Sequence, residues 1–196
     1  MYLIKKLLLT LTLSSTLLVS GCGYNTLQVK DESVNGAWAE VQNQYQRRAD
    51  LVPNLVSVVK GYAQHEEQVL TEVTQARANV SGLKVDKEVL ENPELFKKYQ
   101  EAQSQMTGAL SRLLAVTENY PDLKANEQFR ELQVQLEGTE NRIAVARNRY
   151  IASVQDYNSY VRQFPQVMTA KVIGMDTKPN FSAEQSAQSA PKVSFD

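Results

Sequence analysis

NEQFRELQVQLEGTENRIAVARNRYIASVQDYNSYVRQFP, residues 126–165, decides the fold of this chain. Taken in alternating three- and four-residue steps it lands on Phe129, Leu132, Leu136, Thr139, Ile143, Ala146, Tyr150, Ser153, Tyr157, Tyr160 and Phe164, and only Thr139 and Ser153 are polar. That spacing brings the apolar side chains back to one face of a helix every two turns, which is the seam of a helical bundle. The helix is expected to begin near Asn126. Pro165 ends it, because proline clashes with a continuing helix and disfavours helical geometry in the residue before it.

Two further series flank this one on its N-terminal side. From Val34 the steps reach Trp38, Val41, Tyr45, Arg48, Val52, Leu55, Val59, Tyr62, Glu66, Val69, Val73, Ala76 and Val80, with Arg48 and Glu66 as the two charged exceptions. A shorter series, Leu95, Tyr99, Ala102, Met106, Ala109, Leu113, Val116 and Tyr120, is apolar or aromatic throughout. Asn92-Pro93-Glu94 supplies an N-cap residue, a first-turn proline and a first-turn acid, and so starts this helix. Tyr120-Pro121-Asp122 stops it. Residues 81–91 read as a loop, the chain past Pro165 as irregular, and residues 181–196, rich in Ser, Ala and Gln, as a disordered tail. The expectation is an all-α, long antiparallel bundle of three helices over residues 31–180. A break at Pro53, with Asp50 as cap, would make four; the unshifted register across Pro53 favours one continuous helix.

At ~1.5 Å per residue the three helices would be about 75, 42 and 60 Å long. The second cannot cover the whole of the first, so the turns around Val34, Trp38 and Val41 are expected to be a partner-binding face. Cover by the C-terminal tail or a membrane is the competing reading. Arg48 and Glu66, on the seam, are expected to pair with Glu140 or Arg147 of the third helix and so fix the register. Tyr150, Tyr157 and Tyr160 read as core residues with a polar handle.

The N-terminus has a different plan. Lys5 and Lys6 precede an apolar run from Leu7 to Val19, short for a membrane span of about 20 residues. Val19-Ser20-Gly21-Cys22 follows and resembles a lipobox, in which diacylglycerol is attached to the thiol and cleavage leaves an acylated, palmitate-type Cys22 as first residue. Residues 1–21 are thus expected to be a signal peptide and residues 22–30 a lipidated tether. The alternative is an uncleaved single-pass inner-membrane anchor. In lipoprotein sorting an Asp after the cysteine retains the protein in the inner membrane; Gly23 stands there, which favours the periplasmic face of an outer membrane where a cell has two. With Cys22 acylated, no thiol is left for a disulfide or a nucleophile.

Composition removes whole classes of function. The net charge of −1 becomes −3 once Lys5 and Lys6 are cleaved away, and the arginines Arg47, Arg48, Arg142, Arg147 and Arg149 are sparse and mixed with Glu, so no nucleic-acid footprint exists. One His and one Cys cannot supply the usual zinc ligand sets. His65 lacks the second His of a helical HExxH motif, position 69 being Val, and reads as a surface residue. There is no G-x-S-x-G and no Gly-rich phosphate loop. Neither a catalytic residue, nor a cofactor or metal, nor a small-molecule substrate is expected.

Gln46-Arg47-Arg48-Ala49-Asp50-Leu51-Val52-Pro53-Asn54-Leu55-Val56, Lys60-Gly61-Tyr62-Ala63, Ala76-Arg77, Asn119-Tyr120-Pro121, Leu136-Glu137-Gly138-Thr139-Glu140-Asn141-Arg142-Ile143, Ala146-Arg147-Asn148-Arg149-Tyr150 and Phe164-Pro165 together resemble the LemA family. The resemblance spans nearly all of the chain beyond residue 21. It implies a membrane-anchored bacterial helical-bundle protein of poorly defined role. Many relatives resemble single-pass proteins, so sidedness is not carried over. The reading is a membrane-anchored extracytoplasmic scaffold or adaptor of the bacterial envelope that holds a protein partner or a second copy. An envelope hydrolase and a ligand sensor acting through bundle repacking are the alternatives.

Overall fold

The computed structural model describes residues 2–63, 65–83 and 88–182, with side chains from Gly23 onward. Among these residues the chain is helical without strands. The elements are α1 (Tyr2–Tyr62), α2 (Glu67–Ser81), α3 (Glu88–Glu91), α4 (Pro93–Thr117), α5 (Pro121–Ala125), α6 (Glu127–Arg162) and α7 (Gln166–Ile173).

α1 and α6 form the spine. Three ion pairs join them, Lys30–Asp156, Glu40–Arg149 and Arg48–Glu140. Numbers that rise along α1 fall along α6, so the two are antiparallel. α2 turns back along the upper half of α1, α4 climbs beside α2, α5 closes the top, and α7 packs against the lower ends of α1 and α6. The upper half is therefore an antiparallel four-helix arrangement.

Pro53 does not break α1. A proline in a helix leaves the carbonyl four residues back without its donor. Here that carbonyl belongs to Ala49, and Arg77 of α2 donates Nε–H to it at 3.0 Å. The helix ends instead at Tyr62, where the continuous helix expected over residues 31–80 folds back on itself. Periodicity cannot distinguish a helix that continues from one that reverses through a short turn, since both return apolar residues to the same core.

The caps are where the local chemistry puts them. Asn92 accepts from the backbone N–H groups of Glu94 and Leu95 at 3.0 and 3.3 Å, and Asn126 accepts from Phe129 at 2.9 Å. Other expectations are corrected. Residues 88–91 of the expected loop are helical and bury Val89 and Leu90. Residues 166–173 form α7 rather than irregular chain. Residues 23–30 are not a tether but part of α1, with Leu27 fully buried. In α6 the buried positions run Ile143, Ala146, Tyr150, Val154, Tyr157, Val161. Two consecutive four-residue steps at Tyr150 shift the seam off Ser153, Tyr160 and Phe164.

Two apolar cores result. The upper one gathers Val52, Leu55, Val59, Val73, Met106, Leu113, Phe129 and Leu136 among others. The lower one gathers Leu27, Val34, Trp38, Val41, Phe96, Tyr99, Ile143, Tyr150 and Tyr157. Between them lies a polar layer.

Candidate functional site

Arg48 is the centre of that layer and is only 1% exposed. A guanidinium buried this far needs acceptors, because its desolvation is not otherwise offset; here the two terminal nitrogens find them and Nε does not. Nη1 donates to Thr107 Oγ1 at 2.8 Å and to Glu140 Oε1 at 2.9 Å, and Nη2 donates to the carbonyl of Gln103 at 3.2 Å and its Oε1 at 2.5 Å. The guanidinium also lies over the Tyr45 ring, 5.1 Å from its centroid. Arg48 thus ties α1 to α4 and α6 at one level.

The other seam charges stand elsewhere. Glu66 falls in the turn between α1 and α2 and accepts from the Tyr120 hydroxyl at 3.0 Å, not from an arginine of α6. Arg147 stands over the Phe181 ring at 4.5 Å. His65 is exposed in the same turn as Glu66. Gln103 and Thr107, which complete the coordination of Arg48, carried no signal in the sequence beyond being polar residues on a helix.

Below the layer, Val34, Trp38 and Val41 are buried in the core and form no open partner face. α6 runs back down past them, and α4 starts at their level. Trp38 packs within 5.2–5.5 Å of Phe96, Tyr99 and Tyr150, and within 6.2 Å of Phe181. Phe181 arrives on an extended strap, residues 174–182, which leaves α7 through Gly174 in the left-handed region (φ 71°), where glycine carries no Cβ penalty. Side chains of the bundle hold the strap by its backbone. Tyr150 and Tyr157 donate their hydroxyls to the carbonyls of Pro179 and Asp176 at 2.8 and 3.0 Å. Asn158 bridges both backbone groups of Lys178, Gln100 donates to the Ser182 carbonyl, and the Lys178 ammonium meets Asp31 at 2.8 Å. The tail expected to be disordered from residue 181 is thus ordered at Phe181 and Ser182; residues 183–196 lie outside the described residues.

The tyrosines here are weaker acids than an exposed tyrosine. Burial pushes the Tyr157 hydroxyl up to about 12, with Asp31 and Asp176 adding to it. Burial likewise raises Tyr45, Tyr99 and Tyr150 above the ordinary tyrosine range; at Tyr45 the nearby Arg147 and Arg48 oppose it. Such hydroxyls stay protonated near neutral pH and serve as hydrogen-bond donors. Beside Tyr45, Tyr99 and Gln103 a cleft of about 330 Å³ opens where α2 ends at Ser81. Among the described residues no group of three or more His, Cys, Asp or Glu could hold a metal ion. The side chain of Cys22, like all those before Gly23, lies outside the described residues.

Comparison with known proteins places this arrangement. The profile of the LemA family matches residues 37–195. Magnetosome protein MamQ 2 and Magnetosome protein MamQ 1 of Paramagnetospirillum magneticum are each 23% identical over 188 residues, covering 87% of this chain and 68% of the relative. Protein LemA of Metamycoplasma hominis is 25% identical over 140 residues, covering 71% of this chain and 60% of the relative. None of these names is that of an enzyme.

Proposed function

The chain belongs to the LemA family, and on that premise we propose that it is a lipid-anchored, extracytoplasmic scaffold or adaptor of the bacterial envelope that acts by binding and not by catalysis. The observation that carries this reading is the continuity of α1. The helix runs unbroken from the residue after Cys22 to Tyr62. Gly23 is already packed, with Gln166 Cγ 3.4 Å from where a Cβ would stand. Acyl chains on Cys22 would therefore hold the bundle with no slack, as a column about 60 Å tall at ~1.5 Å per residue. Several acyl chains on one residue anchor stably where one does not.

The interior supports the same reading. Arg48 is engaged by four acceptor contacts, and the tyrosine hydroxyls of the lower core are held as donors to the strap or stay protonated by burial. Work is left to the outer faces, which would gather a protein partner near the membrane. Gly23 in place of an aspartate favours the periplasmic face of an outer membrane in a two-membrane cell. Among the described residues no helix is long and apolar enough to cross a membrane.

Intact mass of the membrane-extracted protein tests the anchor. The expected mass lacks residues 1–21 and includes the acyl chains. A Cys22→Ala variant that is still processed and stays in the membrane fraction would overturn it. Crosslinking of the anchored protein in cells, followed by mass spectrometry, should then return a recurring protein partner; crosslinks to none would remove the scaffold reading.

A further inference from the structure

α7 is turned inside out. Its buried residue is Ala170, which packs into the lower core, while Gln166 and Thr169 lie against Gly23. At 100° per residue, Met168 and Val172 stand 200° from Ala170 on the far side of the helix. These outward residues are apolar. Met168 is 59% exposed and Val172 85%, and Phe164, in the turn that leads into α7, is 83% exposed. Tyr24, the second residue after Cys22, is exposed at the same end. A surface helix ordinarily presents polar residues outward, and a cluster of this kind marks an occupant.

Its position says which occupant. α7 seats on α1 at Gly23, so the apolar stripe lies at the end of the bundle that carries Cys22. Arg162 and Lys171 flank it, both exposed, with Asp176 beyond Gly174 as the acidic neighbour. Apolar side chains bordered by cations fit the boundary between headgroups and acyl chains of an anionic bilayer, where an interfacial helix buries its apolar face about 5–10 Å deep. We propose that α7 with Phe164 is a membrane-docking foot: Phe164, Met168 and Val172 enter the outer layer of the bilayer and set the tilt of the bundle relative to its surface. The inference rests on the anchored reading above and adds to it a second, non-covalent contact with lipid.

A tryptophan placed on the stripe reports on it. The acylated chain with Val172→Trp, beside the parent whose single Trp38 is buried, is reconstituted into vesicles of phosphatidylethanolamine and phosphatidylglycerol. The fluorescence added by the substitution should shift to the blue, be quenched by brominated acyl chains and be shielded from aqueous iodide. Met168→Trp should report the same, which covers the case of a variant that fails to fold. Flotation of the same vesicles reads attachment separately. A chain that floats with the added indole open to iodide overturns the foot and leaves the anchor intact. So does an indole shielded from iodide but unquenched by bromine, the signature of cover by a second copy. A chain that does not float overturns both.

Discussion

Arg48 shows how one residue can be readable in kind and unreadable in detail. A charge on an otherwise apolar seam had to be paired, and Glu140 lies opposite it at 2.9 Å. Glu140 keeps 38% of its side chain exposed, however, so that ion pair is screened and is not the main term. The larger role belongs to Gln103, which is buried and holds its amide oxygen on the guanidinium. Arg48→Met should therefore cost about 1–3 kcal/mol for the buried Gln103 amide oxygen left unsatisfied, whereas Glu140→Gln should cost under ~1 kcal/mol. Urea unfolding of the two variants checks the order; equal losses would mean that the ion pair dominates. Trp38 went the other way. Its place on the seam was legible, but whether it faced a partner or the chain's own tail depended on Phe181, 143 positions away in sequence.

Among elements, the α1–α2 hairpin turns on a single carbonyl. Pro53 frees the oxygen of Ala49, and Arg77 of α2 takes the place of the missing backbone donor. The two residues should be coupled. Arg77→Ala in the natural chain leaves the Ala49 carbonyl without its donor, while in a Pro53→Ala background the restored N–H can serve it. A double-mutant cycle by thermal or urea unfolding should give a coupling of about 1 kcal/mol, the size of one net hydrogen bond. A cycle that closes at zero would show that Arg77 is only a surface residue lying near the helix. Helix starts were legible because Asn92 and Asn126 carry their own capping chemistry. The reversal after Tyr62 was not, since the turn contains no proline and the seam spacing continues across it.

At the scale of the whole molecule, the lower core is a set of buried hydroxyls, and its weakness is alkaline. Tyr45, Tyr99, Tyr150 and Tyr157 all titrate above the ordinary value of 10.0, mainly through burial, with Tyr157 at about 12. A group whose folded value is raised binds its proton more tightly in the folded state, so its contribution is complete below pH about 10 and is lost as pH climbs through the folded value. Melting temperature followed by circular dichroism should hold up to about pH 10 and fall steeply between there and 12. A flat profile to pH 12 would mean that these hydroxyls reach water. The chain by itself determined the helical class, the seams, the capped starts and the need to pair Arg48, because each is set by residues within a few turns of one another. Only the tertiary structure decided where α1 reverses, which donor serves Ala49 and what covers Trp38. Those contacts join segments far apart in sequence, and a periodic pattern records which residues are buried but not against what.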